Sequence, residues 1–555
     1  MATVIPRPPA APRDDPPRST PQVGRSMARV DAAEKLRGDA QFVGDLVVPR
    51  MLHGKVLRSP YPHARIVSID TSAADAMPGV VTTLTAADLH DIDPYYGHSI
   101  RDRPILAIDR VRFAGEPIAA VAAVEPAIAE AAVEAIVVRY EDLPRVATLE
   151  EALAPDAPLV HDGPVRPGAF HGLGTLLERD GNVGYRYALE RGDLDAVFAA
   201  ADIVVEGDYT FPGVYQYAME THSVVAQVDS DGIRLWATCQ HPFLVRAEIA
   251  ALFDVPLGRV RITVPYLGGG FGSKSYTKME PITVALARKA GRPVRIVNRV
   301  DESMVTTRRH NMTARVRTAA TSDGRLLARD VQAWFDTGAY ADNGPRVTAT
   351  GGDAAPGPYR WSAVRVDAAC VYTNTAPSGS YRAFGATHLQ WAGELQVDEV
   401  ARRVGIDPIE IRRRNLLRPG EVVRAGGKPL DADLIGDVDK VTEALGWSRK
   451  RASNIGRGWP SGCWRPAPTP SRARSSGWRP MAARSCWSAR PRSARASGPP
   501  SPRSRPRSWP CLRNGSPARA PIRSSPRTIG RPGPAGPRRW PDSPSSGRPR
   551  PCART

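Results

Sequence analysis

The first 450 residues predict an α+β protein, and the last hundred predict no packed fold. Three observations carry this. Strand-like and helix-like segments alternate irregularly from about residue 30 to 421, without the strict strand–helix–strand repeat of a parallel sheet. The charge divides sharply near residue 450. Beyond that point the chain lacks the apolar residues that a core requires.

The chain has 555 residues, a formal net charge of +19 and 42% hydrophobic residues. From Arg451 to Thr555 there are 23 Arg, no Lys and a single acid, Asp542. Residues 1–450 therefore hold 53 Lys+Arg against 56 Asp+Glu and are slightly acidic. The basic balance belongs to the last segment alone, so whole-chain charge is no argument for nucleic acid. No apolar run reaches the roughly 18 residues of a transmembrane helix. Residues 1–29 are Pro-rich without the apolar stretch of a secretory signal, and read as a disordered leader.

The last segment holds 21 of the 54 Pro, six of the 11 Trp and four of the six Cys, with no Val, Phe, Tyr, Gln, His, Lys or Glu. Arg, Pro, Ala and Gly are the residues of all-G/C codons, so residues 456–555 read as a disordered, out-of-frame stretch of a GC-rich gene. The alternative is a genuine Arg/Pro-rich arm on a non-catalytic remnant, binding polyanions such as nucleic acid. That arm would lose affinity steeply with salt and with deletion after Arg449. Without it only Cys239 and Cys370 remain, which fits a reducing, cytoplasmic compartment.

A first unit spans residues 30–153. Residues 51–60, 64–72 and 80–84 read as strands, with Thr85 and Asp88 placed as a capping pair. Gly115-Glu116-Pro117 leads into a strand over 118–124. Pro126 then opens a helix striped with Ile128, Ala132 and Ile136. Residues 154–184, rich in Gly, Pro and His, read as a linker.

A second unit spans 185–421. Strands at 223–228 and 232–237 flank an Asp-Gly turn, an amphipathic helix covers 242–253, and a strand at 260–264 runs into a glycine cluster. A helix over 278–290 closes at Gly291. Residues 312–318 and 326–334 form a hairpin over Ser322-Asp323-Gly324. Thr387-x-x-Gln390 and Asp407-Pro408-x-Glu410 read as two capped helix starts. A third unit starts at 422 and continues to 455.

The sharpest local signal is Leu267-Gly268-Gly269-Gly270-Phe271-Gly272-Ser273-Lys274, after a strand and before a helix. Consecutive glycines let backbone approach a ligand, and their N–H groups form an anion nest; the bland reading is a tight turn. The spacing fails both the P-loop and the dinucleotide fingerprint, and Asp301 and Glu302 lie too far along to read a ribose. Ser380-Tyr381-Arg382-Ala383-Phe384-Gly385 presents a guanidinium beside aromatic rings. Cys239-Gln240-His241-Pro242 places an amide at a helix start, and Met219-Glu220-Thr221-His222 reads as paired structural residues rather than ligands.

Taken in their order along the chain, these segments resemble the molybdenum-binding large subunit of the xanthine dehydrogenase and aldehyde oxidase family. The resemblance also runs through Leu57-Arg58-Ser59-Pro60, His63-Ala64-Arg65-Ile66, Val111-Arg112-Phe113-Ala114-Gly115-Glu116-Pro117, Asp336-Thr337-Gly338-Ala339-Tyr340 and Gly405-Ile406-Asp407-Pro408. It implies a small N-terminal hammerhead domain at 30–153, a first molybdopterin-binding domain at 185–421 and the start of a second at 422–455. It also implies an oxidoreductase in which a pterin-held molybdenum hydroxylates an electron-poor carbon with oxygen from water. Gln240 would hydrogen-bond a molybdenum oxo group. Phe271, among Gly269, Gly270 and Gly272, would bring backbone to metal and cofactor. Arg382 would lie at the metal, and Phe384 against a flat substrate. The pterin is expected as molybdopterin, with the cytosine dinucleotide as a candidate form. A [2Fe–2S] small subunit and an FAD-binding medium subunit are the expected partners, in a dimer of heterotrimers for an intact homologue, with no membrane partner.

The departures narrow this. Ser275 and Thr350 stand where purine-oxidising members carry Glu and Arg, and Ala383 stands where carbon-monoxide-oxidising members carry Cys. An aldehyde or an N-heteroaromatic substrate is the expectation. The family's general-base Glu belongs to a later segment with no counterpart after Arg451, so the chain as written is expected to be inactive and the gene frameshifted near residue 455.

Overall fold

The computed structural model describes residues 26–168, 179–422, 429–449 and 457–462. The expected leader up to residue 25 and the tail beyond 462 lie outside the described residues.

The N-terminal part is built from β1 (Leu52–Arg58), β2 (Ala64–Asp70), β3 (Val80–Thr85), β4 (Pro117–Ala123), α1 (Pro126–Ala135) and β5 (Val137–Asp142). The sequence of β4, PIAAVAA, is buried at every position because the strand lies between β1 and β3. Its small side chains let α1 pack closely against it. Pro126 sits in the first turn of α1, where its missing N–H costs nothing. Asp88 accepts from the Thr85 N–H at 2.8 Å, as the capping pair requires.

The following part supplies two sheets. β6 (Val183–Arg191) and β7 (Ile203–Phe211) precede the hairpin β8 (Ser223–Asp229) and β9 (Gly232–Ala237). Next come α2 (Pro242–Leu252), β10 (Val260–Thr263), α3 (Glu280–Ala290) and β11 (Val294–Val297). The hairpin β12 (Asn311–Ala320) and β13 (Leu326–Gly338) leads to α4 (Gly344–Ala354) and β14 (Ala363–Tyr372). Three helices close the described chain: α5 (Ala386–Val404), α6 (Pro408–Asn415) and α7 (Leu434–Leu445).

One seven-stranded sheet runs β10-β9-β8-β11-β1-β4-β3 and so contains strands of both expected units. The join is the parallel pair β1–β11, with Leu52 opposite Val294 and Gly54 opposite Ile296. A Cβ on Gly54 would stand 2.6 Å from Ile296 Cγ1, so a larger residue would force this join apart. A five-stranded sheet runs β7-β12-β13-β14-β6. Helices α4 and α5 cover it, burying Phe335, Val366, Leu389 and Val397 in a second core.

Two sequence expectations change here. Helix α5 starts at Ala386 on an N-cap Gly385, so Thr387 lies inside the first turn and caps nothing. Asp407 does cap α6, accepting from the Ile409 N–H at 2.7 Å, but Glu410 turns outward to Arg414 instead of back to the cap. The fold also continues past residue 455. Trp459 is buried in the second core, and Arg457 Nη1 donates to the Gly446 and Trp447 carbonyls at 2.6 and 2.8 Å. Composition averaged over a hundred residues conceals a single Trp with a slot to fill. Among the described residues no helix is long and apolar enough to cross a membrane.

Candidate functional site

The glycine cluster lies in the loop between β10 and α3. Gly269 and Gly272 have φ of 97° and 107°, and Phe271 itself takes φ of 52°. That conformation is costly for a residue with a Cβ, so the surroundings must hold it. They do so from two sides. A Cβ on Gly270 would meet Gln240 Oε1 at 2.5 Å, and one on Gly272 would meet the Ser380 carbonyl oxygen at 2.4 Å. Only glycine lets all three segments approach this closely.

Hydrogen bonds fix the arrangement. Gln240 Oε1 accepts from the Gly272 N–H at 3.0 Å, and the Gln240 N–H donates to the Lys274 carbonyl at 2.7 Å. The Arg382 N–H donates to the Phe271 carbonyl at 3.0 Å. The structure thus brings together Gln240, Gly269, Gly270, Phe271, Gly272 and Arg382 from three distant parts of the sequence. Gln240 stands at the end of β9, Arg382 just before α5. The Phe271 ring is 48% exposed, and Gln240 and Arg382 are exposed beside it.

The donors left over define what the site can hold. Among the described residues the Gln240 amide NH2, the Arg382 guanidinium and the backbone N–H groups of Gly269, Gly270 and Phe271 donate to no protein acceptor. This is a donor array without an acceptor of its own, suited to oxo or phosphate oxygens. It fits an oxo-bearing metal on a phosphorylated pterin. Phe384 stands apart from it. Ala383, Phe384 and Gly385 take three consecutive left-handed conformations, with φ of 72°, 47° and 83°. The chain doubles back there, and the half-buried Phe384 ring packs against the second core.

Sequence reading marked Glu220 and His222 as structural residues but not their partners, which lie beneath the loop. Lys274 has a fully buried side chain and pairs with Glu220 at 2.8 Å. Burial holds its pKa below the ordinary value, and the Glu220 hydrogen bond opposes that shift. The same Glu220 oxygen accepts from the Gly268 N–H at 2.8 Å. His222 reaches the Ser273 carbonyl at 3.1 Å, and burial pushes its pKa down to about 3, so it is a neutral structural group. On the other flank Gln216 and Asn343 donate to Ser380 O and Oγ, each at 2.8 Å. The available signal was a lone Lys in a glycine-rich turn, which needs a buried acid, but nothing in the spacing says which one.

Comparison with known proteins agrees with this architecture. Residues 177–416 match a molybdopterin cofactor-binding domain, and residues 37–144 match the a/b hammerhead domain of aldehyde oxidase and xanthine dehydrogenase. A probable xanthine dehydrogenase subunit of Bacillus subtilis is 38% identical over 399 residues, which is 72% of this chain and 51% of that protein. A nicotinate dehydrogenase large molybdopterin subunit of Eubacterium barkeri is 36% identical over 439 residues, 77% of this chain and 98% of that protein. Among solved structures, quinoline 2-oxidoreductase of Pseudomonas putida 86 superposes with a TM-score of 0.68 at 31% identity, over 77% of this chain and 54% of that one. The aldehyde oxidoreductase of Desulfovibrio gigas gives 0.71 at 26% identity, over 77% and 47%. The chain thus spans about half of several relatives and nearly all of one. It belongs to the xanthine dehydrogenase and aldehyde oxidase family, as a molybdenum-binding large subunit.

Proposed function

We propose that this subunit serves a hydroxylase oxidising an aldehyde or an N-heteroaromatic substrate, with water as the oxygen source. The carrying observation is the unsatisfied donor array of Gln240, residues 269–271 and Arg382 around the exposed Phe271. The bound molybdenum–molybdopterin supplies a Lewis-acidic, redox-active centre that activates water and takes up two electrons. The chain's residues hold that centre. The Gln240 amide would donate to an oxo group of that centre, with its other end pinned by the Gly272 N–H. The loop N–H groups present a fixed positive edge that needs no reorganisation. Arg382 balances negative charge, and the Phe271 ring keeps water from one side.

None of the exposed side chains at this array is a carboxylate, and Glu220 is tied to Lys274 and Gly268. On this reading the general base lies outside the described residues, and the 555-residue chain alone is expected to be inactive. The cytosine dinucleotide form of the pterin, [2Fe–2S] and FAD on partner subunits, a dimer of heterotrimers and a cytoplasmic setting complete the proposal. The family supports these, and the two cysteines among the described residues, Cys239 and Cys370, are free and buried, which supports a reducing setting.

The test is metal and pterin retention. The chain is expressed in a molybdopterin-producing host, alone and with the missing half of a relative supplied as a second polypeptide. Molybdenum is expected to approach one per complex only with the second polypeptide, and to drop at least tenfold with Gln240→Ala. Retention of neither metal nor pterin by the assembled complex would sink the reading.

A further inference from the structure

Arg346 carries the new inference. It lies in the first turn of α4, one turn before Thr350 on the same helix face. A cation at a helix N-terminus sits at the wrong end of the helix dipole and normally needs an acid nearby. Among the described residues Arg346 forms no ion pair, and the neighbouring acid, Asp342, is committed to Lys278 at 2.6 Å. Arg346 Nη1 instead lies 3.4 Å from His98 Nε2 and 3.5 Å from Tyr276 Oη, at the outer limit of hydrogen bonding. The Tyr276 ring is stacked with His98 at 3.8 Å and His241 at 5.3 Å. His241 adjoins Gln240, and the buried Ser275 precedes Tyr276. The half-buried guanidinium thus stands beside the segments that carry Gln240 and the glycine loop, with an unpartnered buried His241 Nδ1 nearby. Burial first and the Arg346 charge second lower the His98 pKa to about 3, so its imidazole stays neutral beside the guanidinium.

We infer that Arg346, with the Tyr276 hydroxyl, forms a subsite for the carboxylate of an aromatic substrate. A planar guanidinium that forms no ion pair among the described residues can bind a carboxylate bidentately. The inference rests on the proposed hydroxylase reading and names its substrate class: aromatic monocarboxylates rather than neutral aldehydes or purines.

The experiment compares benzoate with benzamide, its neutral isostere, binding to the full 555-residue chain in ligand-detected NMR titrations. Benzoate is expected to bind at least tenfold more tightly, a difference of about 1.4 kcal/mol. Arg346→Met should abolish that preference while leaving benzamide affinity unchanged, and Arg346→Lys should keep part of it. Equal affinities in the wild type, or no benzoate binding at all, overturn the inference without needing any variant. So does a preference that survives in a folded Arg346→Met chain. Molybdenum retention by the assembled complex depends on Gln240 and the glycine loop, not on Arg346. A complex that retains metal but shows no carboxylate preference therefore refutes the subsite and leaves the hydroxylase reading standing.

Discussion

Lys274 is the side chain on which the glycine loop rests. A buried ammonium is tolerable only with its counter-ion, and Glu220 is that counter-ion at 2.8 Å. Glu220→Ala leaves the charge buried and alone, which costs about 3–5 kcal/mol. Replacing both partners, as Glu220→Leu with Lys274→Met, should recover most of that loss, because neither charge then needs solvation. Urea denaturation of the four chains measures it, and strictly additive losses would show that the pair is not coupled. Asp102 gives a second expectation. Burial pushes its carboxyl up to about 6, above the about 3.9 of an unfolded chain, although the Ala341 N–H and Tyr372 hydroxyl both donate to it. Between those values the folded form holds a proton that the unfolded form has lost. This group's contribution is therefore full below pH 4, falls as pH rises, and is gone above pH 6. Asp102→Asn removes the titration, so the stability of wild type relative to variant should fall by about 3 kcal/mol from pH 4 to pH 7. A flat difference would show that Asp102 titrates normally. Gln240, Phe271 and Arg382 could be picked out from sequence as candidates, each in a short motif that the family resemblance carries. Glu220 with Lys274, and Arg346 with Tyr276, could not, because their pairing spans 54 and 70 residues and leaves no mark in spacing.

At the scale of the element, the loop between β10 and α3 separates two kinds of glycine. At Gly270 an added Cβ meets the far end of the Gln240 side chain, which can swing away. At Gly272 it meets backbone, and φ is 107°. Gly270→Ala should therefore cost only the Gln240 hydrogen bond, about 1 kcal/mol. Gly272→Ala should cost about 3 kcal/mol or more, from strain and the clash together. Both should release molybdenum from the assembled complex, the first because Gln240 is displaced and the second because the loop moves. Thermal melts with metal analysis check this, and equal melting losses would overturn the distinction. The hairpin β12–β13 and the end of α3 were legible because local chemistry decides them: an Asp-Gly turn, and Gly291 with positive φ. β5, β6 and β14 were not. β5 and β6 carry charges on an exposed face, and β14 pairs with β13 in parallel from Ala328 opposite Ala363, a contact that no turn announces. The parallel join of β1 to β11 is equally silent in sequence, which is why the chain reads as two units while its central sheet is one.

For the whole molecule, the division of charge near residue 450 locates the change in sequence character, and the packing shows how far the fold extends. The second core ends not at Arg449 but at a Trp. Trp459 is only 7% exposed, Arg457 closes onto the end of α7, and the Ser461 N–H donates to Glu394 Oε2 at 2.6 Å. Glu394 is itself held by the fully buried Arg412, at 2.8 Å, so residues 457–462 complete a polar network as well as an apolar slot. A chain stopped after Arg449 loses all of this, and one stopped after Gly462 keeps it. Emptying a Trp site typically costs about 3–5 kcal/mol. The shorter chain should therefore melt well below the longer one, and Trp459→Ala in the full chain should reproduce most of the deficit. Scanning calorimetry on the three proteins decides the matter. If the two truncated chains melt together, residues 457–462 contribute nothing and the fold ends where the charge balance changes.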